Sequence, residues 1–128
     1  MTFKRIPVLI AVLAGLLAGL MPSLAGAASL KWHVRSEHDA KISLEFYSQD
    51  RDHVWPGDGD VYVIDDFDTH DYTLTCNKGE KICYGAWVRN HSDSYWGSGY
   101  DGEQACDSCC FYHLSDEGRV RIEIPFVQ

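Results

Sequence analysis

Apolar and polar residues alternate with a period of two along much of the chain. Leu30, Trp32 and Val34 alternate with Lys31, His33 and Arg35, and Ile42, Leu44 and Phe46 with Ser43, Glu45 and Tyr47. Further on, Val120, Ile122, Ile124 and Phe126 alternate with Arg119, Arg121 and Glu123. Successive side chains of a strand point to opposite faces, so each segment predicts a strand with one dry and one wet face, the habit of antiparallel sheets. Residues 61–64, 72–76 and 82–88 are β-branched and aromatic runs of strand length. Clusters of Gly, Pro, Asn and Asp at 56–59, 77–79, 90–94, 101–102 and 116–118 supply turns between them. Beyond residue 28 no stretch holds a helical period over three turns. The pattern predicts an all-β fold: a small antiparallel β-sandwich, or a compact barrel, of about seven strands. The first and last strands, which alternate most cleanly, are expected to share one core.

The first residues break this pattern. Lys4 and Arg5 precede an apolar run from Ile6 to Leu20, followed by Pro22 and the small residues Ala25, Gly26 and Ala27. A basic start, a short apolar stretch and small residues before a cut site form the order of a secretory signal. Residues 1–27 are therefore assigned to a signal peptide cleaved between Ala27 and Ala28, and 28–128 to a single β domain. Glycines at 15, 19 and 26 argue against a permanent membrane anchor. The expected location is secreted or periplasmic, with no membrane association after cleavage.

Charge then narrows the partners. The 128 residues carry 11 Lys plus Arg against 19 Asp plus Glu, a net charge of −8. Both basic residues of the signal leave with it, so the exported part is still more acidic. Nucleic acid is excluded as a partner, because its affinity rests on cations that neutralise phosphates. The expected partner is a protein or a glycan outside the cytoplasm.

All five cysteines fall in the exported part: Cys76, Cys83, Cys106, Cys109 and Cys110. In an oxidising compartment they read as a disulfide framework for a domain too small to rely on its core alone. The 77–82 link resembles a hairpin turn that would set Cys76 opposite Cys83. Bridges from there to the 106–110 cluster would close longer loops, worth about 3–4 kcal/mol each. Two bridges leave one cysteine over, and spacing does not choose the connectivity. The alternative is a zinc knuckle of Cys76, Cys83, Cys106 and Cys109, with Cys110 or His113 as replacement ligands.

Two further segments carry candidate chemistry. Asp65, Asp66 and Asp68 lie in an acidic stretch with His70 and offer hard oxygen ligands for calcium. An EF-hand started at Asp66 fails, since Asp71 stands where the turn glycine belongs and Asn77 where the bidentate Glu belongs. The plainer reading is that these aspartates cap turns. Residues 84–100 combine tryptophans and tyrosines with glycines, the composition of a sugar-binding face on a β-sheet. Trp87 reads as a buried strand residue, whereas Trp55, Tyr95, Trp96 and Tyr100 read as ligand contacts, with Trp55 and Trp96 exposed. No spacing assembles a complete catalytic constellation. The sequence thus points to a non-catalytic binding or structural module without an obligatory cofactor. A glycan-binding module, calcium-assisted, and a small hydrolase using carboxylates or His70 are the alternatives.

Overall fold

A computed structural model describes residues 28–114 and 118–127. The assigned signal, 1–27, lies outside the described residues. Among those described, no helix is long and apolar enough to cross a membrane.

The fold is all-β, in two sheets. The smaller has three strands in the order β5–β1–β9, with β1 (Ala28–Ser36) at its centre, β5 (Thr69–Cys76) antiparallel to it and β9 (Arg119–Ile124) parallel. The larger has six strands. Its spine is β2 (Ile42–Ser48) paired antiparallel with β6 (Lys81–Val88). The far edge of β2 is divided between two short strands, β3 (Val54–Trp55) against Phe46 and Tyr47 and β4 (Tyr62–Ile64) against Ile42 to Leu44. The far edge of β6 is divided likewise between β7 (His91–Gly97) and β8 (Cys110–Tyr112).

Three features differ from the sequence reading. The first and last strands do share a core, but they run parallel, because alternation is the same in either direction and no hairpin links them. There are nine strands among the described residues rather than about seven. Strands of two or three residues are too short to show a period, and the polar start of β7 resembles a turn. Phe126 is exposed beyond the end of β9, where Pro125 interrupts the ladder.

The dry faces of the two sheets meet in one apolar cluster. Leu30, Trp32, Val34, Leu74, Val120, Ile122 and Ile124 come from the smaller sheet. Ile42, Leu44, Phe46, Ile82, Ala86 and Trp96 come from the larger. Trp32 is the central contact between them. Its ring is wholly buried, 4.7 Å from that of Phe46 and 5.4 Å, edge-on, from that of Phe111. Such tilted and edge-to-face arrangements suit the ring quadrupoles.

A buried carboxylate ties the turns at one end. Glu80 is 1% exposed. It accepts from Ser48 Oγ at 2.5 Å, Arg51 Nε at 2.7 Å, Arg51 Nη2 at 3.1 Å and the Asn77 amide at 2.7 Å. The turn after β2 is thereby fixed to the connection between β5 and β6. Burial works against the charge, but the Arg51 guanidinium and the Ser48 and Asn77 donors overcome it and hold the carboxyl at about 2.

The cysteines form two bridges, Cys83–Cys110 and Cys106–Cys109, and Cys76 is free and buried. The first bridge links register partners on β6 and β8. The expected facing of Cys76 and Cys83 does not occur. β5 and β6 belong to different sheets, so residues 77–80 carry the chain across the molecule instead of closing a hairpin.

Trp32→Ala should cost about 3–5 kcal/mol, read as a lower midpoint in urea unfolding with an unchanged slope. Glu80, whose folded value lies below its ordinary 4.5, contributes stability that is full above that value and is lost as pH falls toward about 2. Glu80→Gln should therefore lower stability at neutral pH and flatten its fall over that acid range, measured by denaturant midpoints at a series of pH values.

Candidate functional site

The strand β2 is buried on both faces, and its second face builds the site. Ile42, Leu44 and Phe46 enter the core, while Ser43, Glu45 and Tyr47 point outward yet are also buried. Residues 97–104 lie over Tyr47 and the neighbouring Gly85. The β-ladder arranges this outer face in rows: Val63, Ser43, Trp87 and Tyr95 in one, Glu45, Gly85 and Gly97 in the next, and Tyr47, Cys83 and Cys110 in the third.

The middle row is where the covering segment comes down onto the sheet. A Cβ placed on Gly85 would lie 2.2 Å from the Gly99 carbonyl oxygen and 2.9 Å from Tyr47 Cε2. Only a bare Cα leaves room for that approach. Gly97 takes a φ of +63°, which turns the chain out of β7 and over the sheet. The Ser98 amide and hydroxyl both donate to the Tyr84 carbonyl at 3.0 Å, and the Gln104 amide donates to the Ser98 carbonyl at 3.0 Å. The segment is thus fastened to β6 through Ser98 and closed on itself through Gln104.

Under it the Tyr47 hydroxyl reaches the Glu45 carboxylate and the Gly99 carbonyl, each at 3.4 Å. Burial raises the Glu45 carboxyl above its ordinary range, the nearby Asp101 carboxylate raises it further, and the Tyr47 hydrogen bond works the other way. Burial likewise raises Tyr47, reinforced by the charges of Glu45 and Asp101. These groups fix the covering segment in place.

Beside the covered patch the first row opens into a groove of about 520 Å³, within the size range of small-ligand sites. Trp87 forms its floor and Tyr100 one wall, their rings edge-to-face at 5.2 Å and 86°. Trp87 is only 5% exposed, whereas Tyr100 is 46% exposed at the start of a short 3-10 turn (Tyr100–Gly102). The rim is polar. Arg89 and Asn90 form the two-residue turn between β6 and β7, and Ser92 follows on β7. Asn90 adopts a φ of +68°, a left-handed conformation that Asn accepts more readily than most residues. The Arg89 amide donates to the Lys41 carbonyl at 2.9 Å, which anchors the turn to the chain entering β2. The groove therefore offers one exposed ring, one buried ring, a cation and three neutral polar side chains, including Ser43.

Of the four predicted aromatic contacts, Tyr100 lines this groove. Tyr95 stands in the same row as Trp87 and reaches Gln104 Oε1 at 3.4 Å. Trp55 and Trp96 are not exposed as expected. Both belong to the core cluster, Trp55 donating from Nε1 to the Thr75 carbonyl at 3.2 Å, and Trp96 on the inward side of β7 opposite Ala86. One-residue alternation puts Trp96 inside once Tyr95 faces out, but the glycines around it hide that register in the sequence. Arg89, Asn90 and Ser92 carry no motif of their own. The signal that was available was the outward Ser43 and Trp87, at positions that pair across β2 and β6.

The acidic segment serves a turn. Asp66 Oδ1 accepts from the Asp68 amide at 3.1 Å and faces His70 Nε2 at 2.7 Å, contacts that hold its carboxyl below the ordinary range, with His70 the main cause. Asp65, Asp66 and Asp68 are exposed and do not converge on one point. The zinc set read from the sequence is not assembled either. Among the described residues, the converging metal-ligand group is Cys83, Cys109 and Cys110, and Cys76 lies outside it at the end of β5.

Comparison with protein-family models, curated proteins and solved structures finds no match to this chain.

Gly85→Ala should lift residues 97–104 from the sheet, because the clash is with backbone that has no rotamer to change. A loss of about 1–3 kcal/mol and a changed near-UV circular dichroism around Trp87 and Tyr100 are expected.

Proposed function

We infer that the protein is an exported binding module, a disulfide-stabilised β-sandwich whose ligand is a neutral saccharide held in the groove between Trp87 and Tyr100. The observation that carries this reading is the pairing of an exposed aromatic ring with a rim of Arg89, Asn90 and Ser92. An aromatic face covers the apolar C–H surface of a sugar, and short polar side chains and a guanidinium exchange hydrogen bonds with its hydroxyls. The net charge favours a neutral ligand over an acidic one, since the field of the whole molecule repels anions. Export rests on the signal-like order of residues 1–27 and on two disulfides, which persist outside the reducing cytoplasm. The non-catalytic reading rests on the character of the groove, whose side chains offer hydrogen bonds and ring contact without a nucleophile held against a base.

The test is a titration of tryptophan fluorescence with neutral and with carboxylated oligosaccharides. Saturable quenching by a neutral oligosaccharide is expected, unchanged by EDTA because Asp65, Asp66 and Asp68 do not take part. Tyr100→Ala should weaken it by about tenfold, or ~1.4 kcal/mol, and Arg89→Ala by a similar factor. Binding that survives Tyr100→Ala, or that is abolished by EDTA, would move the ligand away from this groove.

A further inference from the structure

A second groove, of about 350 Å³, opens on the other side of the covering segment, and three cysteines line it: Cys83, Cys106 and Cys110, with Lys81, Gln49 and Asp107. Cys106 and Cys109 enclose two residues, Asp107 and Ser108, a spacing suited to a disulfide that opens and recloses. The two sulfurs of this bridge differ in access. Cys106 is part-exposed and borders the groove, whereas Cys109 is 2% exposed and does not. Behind it the second bridge is in contact. Cys109 Sγ lies 3.8 Å from Cys110 Sγ, and the sulfurs of Cys83, Cys109 and Cys110 all lie within 4.8 Å of one another. Backbone contacts hold this arrangement independently of sulfur chemistry: the Tyr84 amide donates to the Cys109 carbonyl at 3.1 Å, and Cys83 and Cys110 are ladder partners.

The geometry points to a thiol–disulfide exchange site, in which a dithiol entering this groove opens the Cys106–Cys109 bridge and the displaced Cys109 passes the exchange to Cys83–Cys110. In the first step a thiolate of the dithiol attacks Cys106 Sγ. A mixed disulfide to Cys106 forms, the Cys106–Cys109 bond breaks, and Cys109 leaves as the thiolate. In the second, Cys109 attacks Cys83 Sγ, a Cys83–Cys109 bridge forms, and Cys110 leaves and takes up a proton. Attack on Cys83 is preferred over Cys110 because bonding to its chain neighbour would close a small ring through their shared peptide. In the third, the other thiol of the dithiol attacks its own mixed-disulfide sulfur and frees Cys106 as a thiol. The dithiol leaves as a disulfide. Its two electrons and two protons now reside on Cys106 and Cys110, and one bridge remains in the protein. Among the charged side chains that line the groove, Asp107 and Glu103 outnumber Lys81 and select against an acidic dithiol.

Limiting dithiothreitol is the probe, added to the native oxidised protein, quenched in acid, alkylated and mapped by peptide mass spectrometry. Label on Cys106 and Cys110 with a new Cys83–Cys109 bridge is expected. Label on Cys83 and Cys106 with a Cys109–Cys110 bridge also supports transfer, through the nearer sulfur. Label confined to Cys106 and Cys109, with Cys83–Cys110 intact, overturns the proposal, as does resistance of both bridges until the protein is unfolded. In Cys106→Ser/Cys109→Ser, which leaves no free thiol beside it, the Cys83–Cys110 bridge should open about tenfold more slowly or worse, since attack from within the chain is replaced by attack from solution. Opening at the wild-type rate would show that the bridge is reduced directly. The mapping on the wild-type protein decides the matter should that variant fail to fold.

Discussion

The approach of one backbone segment to another at Gly85 governs the outer face of the larger sheet. Because the Gly99 carbonyl rests where any side chain at position 85 would stand, residues 97–104 lie flat on the outer face of β2 and β6. That single contact buries Glu45 and Tyr47 and places the Tyr100 ring over Trp87. It also sets the path by which the chain reaches Cys106 to Cys110 at the edge of β6. The two grooves lie on either side of the same strip of backbone, so the glycine-rich composition of residues 84–100 is a packing device first and a supplier of aromatic surface second.

The opposite face answers to a different constraint. There the two sheets are held by apolar burial around Trp32, and polar groups are few at the end of the core. Glu80 is the main one. Removing a charge from water is costly unless donors replace the solvent, and four hydrogen bonds from three residues do so here. The pair with Arg51, whose side chain is 38% exposed, acts mainly by orienting the turn after β2. Stability and candidate site are thereby separated, with the apolar core on one side of β2 and the grooves on the other.

How far the sequence disclosed this follows from which rules act locally. Period-two alternation in β1, β2 and β9 marks three of the longer strands because their apolar and polar side chains go to opposite faces. It is blind to strand direction, hence the parallel β1–β9 pairing, and it fails for β2 in one respect: Ser43, Glu45 and Tyr47 look like a solvent face and are buried, Glu45 and Tyr47 under a loop fifty-odd residues later in the chain. Acidic turn residues were legible because an aspartate caps its own backbone, as Asp66 does for Asp68. The bridge partners and the groove were not, since they depend on which sheet each strand joins. Cys76 and Cys83 are close in sequence but lie on strands of different sheets, and Cys83 meets Cys110 only because β8 takes the remaining half of the β6 edge.

The parallel pairing of β1 with β9 has a consequence for when the fold can exist. The central strand of the smaller sheet is the first to be made and its parallel neighbour the last, so nearly the whole chain must be present before that sheet closes. Contacts so distant along the chain are slow to form, because the loop between them must be ordered first. The larger sheet, which uses neither of these strands, is free to form earlier, so the delay falls on the smaller sheet alone. Its topology works as a clasp, fastened by the last strand around a sheet whose centre was laid down by the first.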